Sequence, residues 1–328
     1  MAVSVTGVAS DEGANPEPAG ATRRTVVRVV RTVLALGAVG VLVLIGRRNA
    51  ADLAHVHLRL RPGWLALAVP LYAVGSLSLA LGWRELLTAF GHRLPLGVAV
   101  RVWWRAQLAR YVPTGLAAFA SRAALARQEG VPTALGAASM ALELAALVGW
   151  ACLMAAIGLP SSLLATPLRW ALGVGAATGL ATLPVLYPWA AGAFRRVPAL
   201  AALAHTRGRR APLYGALGLY GVFSTAKAVA FVAFTAALVP IHARDAWLVA
   251  GTVQAAGVIG LIGVTPAGIG VRETAMVGLL YRRIGTPDAA ALAVAWRAFE
   301  FAFELAWLGL GTAWRRPAAP APGGAASN

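Results

Sequence analysis

The sequence is short of charge, shortest of acidic charge, and has almost no cysteine or lysine. Only 12% of its 328 residues are charged, against about a quarter in an ordinary soluble domain. Cys152 stands alone, which excludes an intrachain disulfide and any cysteine-built metal site. The five histidines are scattered in loops and no HExxH element occurs. No DxD pair or metal constellation suited to phosphoryl or glycosyl transfer is present either. The period-2 alternation of a membrane barrel is missing as well. Nothing in the sequence calls for a metal, a cofactor or a catalytic group.

Apolar sequence takes the place of all this. Hydrophobic residues make up 59% of the chain, in recurring runs of close to the ~20 residues that a helix needs to cross a bilayer core. The net charge of +17 comes from arginine, with Lys227 the one exception. A basic balance can signal nucleic acid, but these arginines sit mainly between apolar runs, where they anchor helices on anionic headgroups and set their orientation. The expected surroundings are membrane lipids, with no nucleic-acid partner.

Residues 1–28 are small, polar and Pro/Gly-containing and read as a disordered cytoplasmic tail; residues 315–328 read as a second flexible tail. Arg23, Arg24, Arg28 and Arg31 precede the run VLALGAVGVLVLIG as in a secretory signal. Arg47-Arg48 follow it without a convincing cleavage site, so 29–46 is expected to stay as a first span. Further spans are expected at about 63–82, 132–158, 169–188, 212–239 and 287–313. The intervening 83–130 is apolar yet carries Arg84, Arg93, Arg101, Arg105, Arg110, Arg122 and Arg127. A central arginine costs about 2.5–3.5 kcal/mol on insertion, so this segment does not cross as a simple span. Within it, Trp103-Trp104 beside Arg101 and Arg105 reads as an interfacial amphipathic anchor.

Two breaks interrupt the apolar pattern: YVPTG with Pro113 and Gly115, and TPAGIG with Pro266, Gly268 and Gly270. Proline removes a helix donor and glycine permits backbone angles that other residues resist. Such backbone is viable at membrane depth only where protein or a water-filled cavity satisfies it. Each break is followed by a Gly and a Pro opening the next helix, EGVPTALGAA and IGTPDAAALA. The transmembrane domain, 29–314, therefore divides into units of about 29–158 and 169–313, each two spans, a hairpin and a span. An odd number of crossings inverts the second unit relative to the first, an arrangement characteristic of transporters. The expected fold is an all-α membrane protein of about six full transmembrane helices plus two re-entrant hairpins in an inverted repeat. Most basic segments then fall on the cytoplasmic side with both termini; the loop 47–61, with four arginines and one Asp, is the exception.

Charges inside apolar spans usually face a bundle interior or an aqueous path. Glu143, Lys227, Arg297, Glu300 and Glu304 are placed so, and Arg297, Glu300 and Glu304 share one helix face at i, i+3 and i+7. Lys227 is a natural partner for one of the glutamates, with Glu304 a further intramembrane charge. Arg272 and Glu273 follow the second break, where free amides and a positive helix end suit an anion; Arg122 holds the comparable place after the first. The candidate substrate-binding set is Arg122, Glu143, Arg272, Glu273, Arg297 and Glu300.

These stretches, ARYVPTGLAAFASRAALARQEGVP, then Glu143, then VIGLIGVTPAGIGVRETAMVGLLYRRIGTPDAAALAVAWR, resemble the lysylphosphatidylglycerol synthase transmembrane-region family, whose members are also described as flippase-like. The second stretch is the more specific: the family shows a Pro-Gly-Gly-Ile-Gly-x-x-Glu-like element, and Ala267 stands here for the first glycine of that pair. Lys or Gln is common before the family's first Pro-Gly, and Arg110 stands here. The resemblance runs from roughly residue 30 to 314. It implies movement of an anionic lipid or polyprenyl-phosphate-linked molecule across the cytoplasmic membrane. Bifunctional members carry an aminoacyl-transfer domain after the membrane part; the sequence ends at Asn328 without one, so aminoacyl-lipid synthesis by this chain alone is not expected. The alternatives are a membrane enzyme of lipid-linked sugar or phospholipid metabolism, and an accessory subunit with a membrane-enzyme partner.

Overall fold

In the computed structural model, residues 59–107, 117–193, 196, 208–262, 268 and 270–313 are described. The first span at 29–46, both tails, and the break residues Pro113, Gly115 and Pro266 lie outside them. The described chain is helical, without a strand. In order come α1 (Pro62–Ala89), α2 (Leu96–Gln107), α3 (Ala117–Gln128), α4 (Thr133–Gly158), α5 (Thr166–Ala193), α6 (Arg210–Leu238), α7 (Ala246–Ile262), α8 (Val271–Ile284) and α9 (Thr286–Ala313). A 3-10 turn, Ala243–Asp245, precedes α7.

Local chemistry sets the boundaries. Pro62 opens α1 and Pro287 lies in the first turn of α9, where a missing N–H costs nothing. Gly130 after α3 and Gly285 after α8 both sit at φ 85°, a left-handed conformation that ends helices and favours glycine. The two Gly-x-Pro junctions that look alike in sequence thus both place their glycine at positive φ.

By length and composition, α1, α4, α6 and Thr166–Trp189 of α5 can each cross a bilayer. α9 is equally long but carries three charges in its middle, and α7 and α8, at 17 and 14 residues, fall short of the ~20 a crossing takes. Trp170 and Trp189 of α5 are 66% and 78% exposed. Their separation of about 28 Å along the helix matches the thickness of the hydrocarbon core, so a bilayer crossed by α5 would meet one indole at each interface.

α1 and α6 form an antiparallel pair at the centre. The N–H groups of Arg59 and Arg61 donate to Leu238 and Ala237 carbonyls at one end, termed upper here, and Arg209 donates to Ala89 at the lower end. Small residues bring the pair close: a Cβ on Gly82 would stand 2.8 Å from the Tyr220 ring, and one on Gly75 would meet Ala226 at 3.2 Å. Two apolar cores are strung along this pair. The lower one gathers Trp83, Leu87, Trp103 and Tyr220 with α2–α5, and the upper gathers Tyr72, Phe231, Phe234 and Trp296 with α7–α9.

The short helices are antiparallel couples that belong to opposite ends. α2 starts just after α1 finishes and α3 finishes just before α4 starts, so the open ends of α2–α3 are lower; Arg101 joins Glu129 across them at 3.0 Å. α7 starts and α8 finishes at the upper end, where Arg283 meets Asp245 at 2.6 Å. Each couple packs against the long helix that follows it. Across the bundle, α4 packs on α7 and α9 packs on α2. At the first crossing a Cβ on Gly158 would stand 2.4 Å from the Trp247 carbonyl oxygen, so the two backbones touch.

One sequence expectation changes here. Trp103 and Trp104 are not interfacial anchors: both are buried, Arg101 with them. α2 packs among α1, α3 and α9, which brings Trp104 into a stack with Trp307 at 4.1 Å. Of the four basic segments that set the expected orientation, the N-terminal segment and the C-terminal flank lie outside the described residues. Exposed arginines stand at the upper end (Arg59, Arg61, Arg244, Arg282, Arg283) as well as the lower (Arg93, Arg127, Arg196, Arg209, Arg210), because α8 closes upward on Arg282-Arg283.

Candidate functional site

Two buried charge clusters lie on α6, at Tyr220 and Lys227. Seven residues separate these side chains, which puts them on one face about 10 Å apart along the axis. In the lower cluster Arg122 of α3 grips Glu143 of α4 with both terminal nitrogens, at 3.0 and 2.8 Å. The Tyr220 hydroxyl donates to Glu143 Oε2 at 3.1 Å. Arg122 also lies 5.6 Å from the Trp83 ring and 5.7 Å from Trp103, within cation–π range. The Trp83 indole in turn donates to Ser139 Oγ at 3.0 Å. This guanidinium is held by a bidentate carboxylate and lies beside two aromatic rings.

The upper cluster is arranged differently. Glu300 of α9 is 2% exposed, and its Oε1 takes Arg272 Nη2 at 2.8 Å and Lys227 Nζ at 3.1 Å together. Arg297 stands 3.9 Å from Glu300 Oε2 and 3.9 Å from Glu273 Oε1. Glu273 caps its own helix, accepting from the Gly270 N–H at 2.6 Å. Three cations thus meet two carboxylates within ion-pair distance. Arg272 Nε and Glu300 Oε2 are buried without a hydrogen-bond partner, which is costly for charged groups away from water.

Backbone geometry puts Arg272 there. Gly270 at φ 86° is the N-cap of α8, so Arg272 is the second residue of the helix. Gly268, at φ 68°, lies against α7: a Cβ on it would stand 2.7 Å from the Gly260 carbonyl oxygen. Gly260 also makes room for the Arg272 stem, since a Cβ there would meet Arg272 Cβ at 3.1 Å. Only glycine satisfies both the angle and the approach at 268.

The sequence profile described as the lysylphosphatidylglycerol synthase TM region matches residues 29–307. The chain belongs to that family. No curated protein and no solved structure matches it. It is a multi-pass membrane protein related to lipid metabolism or translocation.

In this lysylphosphatidylglycerol synthase TM-region protein, the expected site residues fall into two groups rather than one. Arg122 and Glu143 form the lower cluster; Arg272, Glu273, Arg297 and Glu300 form the upper, joined by Lys227. Glu304 is half-buried one turn beyond Glu300. The amide exposed at the start of α8 is taken by Glu273. Tyr220 is the member that sequence reasoning missed; its place one heptad before Lys227 on an apolar helix was the available signal. Trp83 and Trp103 gave no comparable signal, because only helix packing sets a tryptophan ring against an arginine.

Outside the bundle interior, Asp245 ties α7 to α8. Burial works against its charge, yet the hydrogen bonds from Arg283 and the His242 N–H, with the Arg283 and Arg244 charges, hold its carboxyl below the usual carboxylate value. The unfolded chain therefore binds this proton at higher pH than the folded one. The tie contributes fully above about pH 4 and is lost as pH falls through the lowered folded value. Thermal melts of detergent-purified protein should show the wild type losing its advantage over Asp245→Asn on acidification below that point; a constant gap across the range would contradict it.

Proposed function

We propose that this protein is a flippase-like translocator of an anionic lipid or polyprenyl-phosphate-linked molecule across the cytoplasmic membrane, both termini being cytoplasmic. The observation that carries the reading is the upper cluster, where three cations share two carboxylates beside a glycine-built helix start and leave Arg272 Nε without an acceptor. A phosphate monoester or diester supplies acceptor oxygens and negative charge, and an arginine fork suits it. Arg272 and Arg297 are the headgroup-holding residues in this proposal, positioned by Glu300 and Glu273. Arg122, gripped by Glu143, is a strut.

The same reading takes α2–α3 and α7–α8 as re-entrant hairpins of an inverted repeat. Four observations favour it: their open ends lie at opposite ends of the bundle, their helices are too short to span, matching Gly-x-Pro junctions follow them, and the packing of α4 on α7 corresponds to that of α9 on α2. Alternating access would then move one hairpin relative to the other around α1 and α6, exposing the cluster to each side in turn. The test is translocation of fluorescent phosphatidylglycerol in proteoliposomes, with phosphatidylcholine as control. Arg272→Ala and Arg297→Ala are expected to lower the phosphatidylglycerol rate at least about tenfold, a loss on the order of 1.4 kcal/mol in the limiting step. Rates equal to wild type would remove both residues from the site.

A further inference from the structure

Arg105 is the one residue of the stretch 101–105 that stays exposed when α2 packs. It lies in the last turn of α2, nine residues beyond Leu96. The helical rise puts it about 14 Å above the lower, open end of the α2–α3 couple. In the hairpin reading proposed above, that is close to halfway through a hydrocarbon core of ~30 Å. The negative end of the helix favours a cation in this turn but supplies no full counter-charge.

The arginines of the bundle interior each have a carboxylate. Arg101 meets Glu129, Arg122 meets Glu143, and Arg272 and Arg297 meet Glu300. Arg105 has neither an ion pair nor a hydrogen bond among the described residues. The acidic groups in its neighbourhood are engaged. Glu129 is taken by Arg101, one turn below Arg105 on the same face of α2. Glu143 is gripped by Arg122. Glu304, three residues before Trp307 on α9, has interactions of its own, as has Gln107, two residues beyond Arg105.

The adjoining contact adds donors. Trp104 stacks on Trp307, and both indole N–H groups are buried without an acceptor. The Trp103 N–H, on the Arg122 side, is a third. What this corner of α2 lacks is an acceptor and a negative charge. An unpaired guanidinium exposed to hydrocarbon at that depth is costly, and charged groups inside a membrane protein face its interior or a water-filled cavity.

We infer that Arg105 faces a water-filled recess on the α2–α3 couple and holds there a phosphate group, monoester or diester, at a site separate from Arg272. The guanidinium fork offers paired donors to phosphate oxygens, and the phosphate brings the counter-charge that Arg105 lacks. The depth of the site and its part in transport rest on the function proposed above; the missing partner rests on the local geometry. In that reading each hairpin carries a phosphate-holding arginine, Arg272 just after the second break and Arg105 on the helix before the first.

Because Cys152 is the only cysteine, Cys152→Ala gives a background in which Arg105→Cys carries the sole thiol. In phosphatidylcholine nanodiscs this variant should react with a membrane-impermeant sulfonate thiol reagent about as fast as Arg93→Cys, placed at the exposed lower end. Binding is read separately, by equilibrium dialysis of the nanodiscs against radiolabelled glycerol phosphate or dihexanoyl phosphatidylglycerol. Empty discs and dihexanoyl phosphatidylcholine are the controls. On an Arg272→Ala background, which lacks the upper donor, Arg105→Gln is expected to weaken binding at least about tenfold, the scale of one lost charge-assisted contact. Arg105→Lys, which keeps the charge, should retain most of it. The melting temperature of Arg105→Gln should not fall, since no ion pair or hydrogen bond is broken. A loss seen with dihexanoyl phosphatidylglycerol alone assigns the anion to a lipid headgroup; a loss with glycerol phosphate as well assigns it to phosphate groups in general. An unreactive Arg105→Cys, a lowered melting temperature, or equal binding with and without Arg105→Gln overturns the site. Binding that depends on Arg105 without translocation in proteoliposomes refutes the translocator and keeps the site. Translocation with binding indifferent to Arg105 refutes the site alone.

Discussion

Glu300→Ala is expected to destabilise the protein by about 3–5 kcal/mol, because it leaves buried cations without their shared counter-charge. Arg272 and Lys227 both rest on Glu300 Oε1, and Arg297 faces its other oxygen. Set against a typical stability of about 5–15 kcal/mol, most of the protein should be lost as monodisperse material after detergent extraction, and the remainder should melt early. Removing Arg272 as well is not expected to rescue it, since Lys227 and Arg297 remain. Glu273→Ala should be far milder, near the ~1 kcal/mol of a lost helix cap, since that carboxylate's shortest bond is to the Gly270 N–H. A melting temperature for Glu300→Ala equal to wild type would show that the three cations do not depend on this carboxylate.

The lower cluster should respond in the opposite way to paired replacement. Glu143→Leu alone strands the buried Arg122 guanidinium beside two indole rings and should also cost about 3–5 kcal/mol. Arg122 and Glu143 neutralise each other, however, so Arg122→Leu with Glu143→Leu should recover most of the loss, provided that Tyr220→Phe removes the hydroxyl left without its acceptor. Arg122→Lys should fall between, losing the second hydrogen bond and the guanidinium's cation–π contacts with Trp83 and Trp103. A double-mutant cycle read by thermal unfolding measures the coupling. Recovery in the lower cluster without recovery in the upper would distinguish a self-contained pair from a carboxylate shared by several cations. A combined variant as unstable as Glu143→Leu would refute the strut.

The helices were largely legible from sequence because lipid leaves few choices. The expected spans at 132–158 and 212–239 lie within a residue or two of α4 and α6, since an apolar run must satisfy its own backbone by forming helix. α1 runs on to Ala89, past the expected end at 82: its last turns pack on α2 and need no lipid-facing apolarity. The arginine-rich 83–130 stretch was readable as something other than a simple span. Its division into α2 and α3, and the burial of Trp103 and Trp104, were not, because an Arg-flanked Trp pair looks the same whether it faces headgroups or another helix.

Composition and patterning by themselves determined that this is a helical membrane protein, that its charges inside apolar spans are few and deliberate, and that glycines punctuate it near 268–270. Hydropathy is a local quantity, carried by each segment independently of its neighbours. Which glutamate holds which arginine was decided only by tertiary structure. Arg122 finds Glu143 and Arg272 finds Glu300 because each short helix couple folds back on the helix that follows it. α6 joins the two clusters because Tyr220 and Lys227 lie one heptad apart on the helix that passes between them. Charge pairing depends on distances of a few ångströms across separate helices, and those distances exist only once the helices have packed.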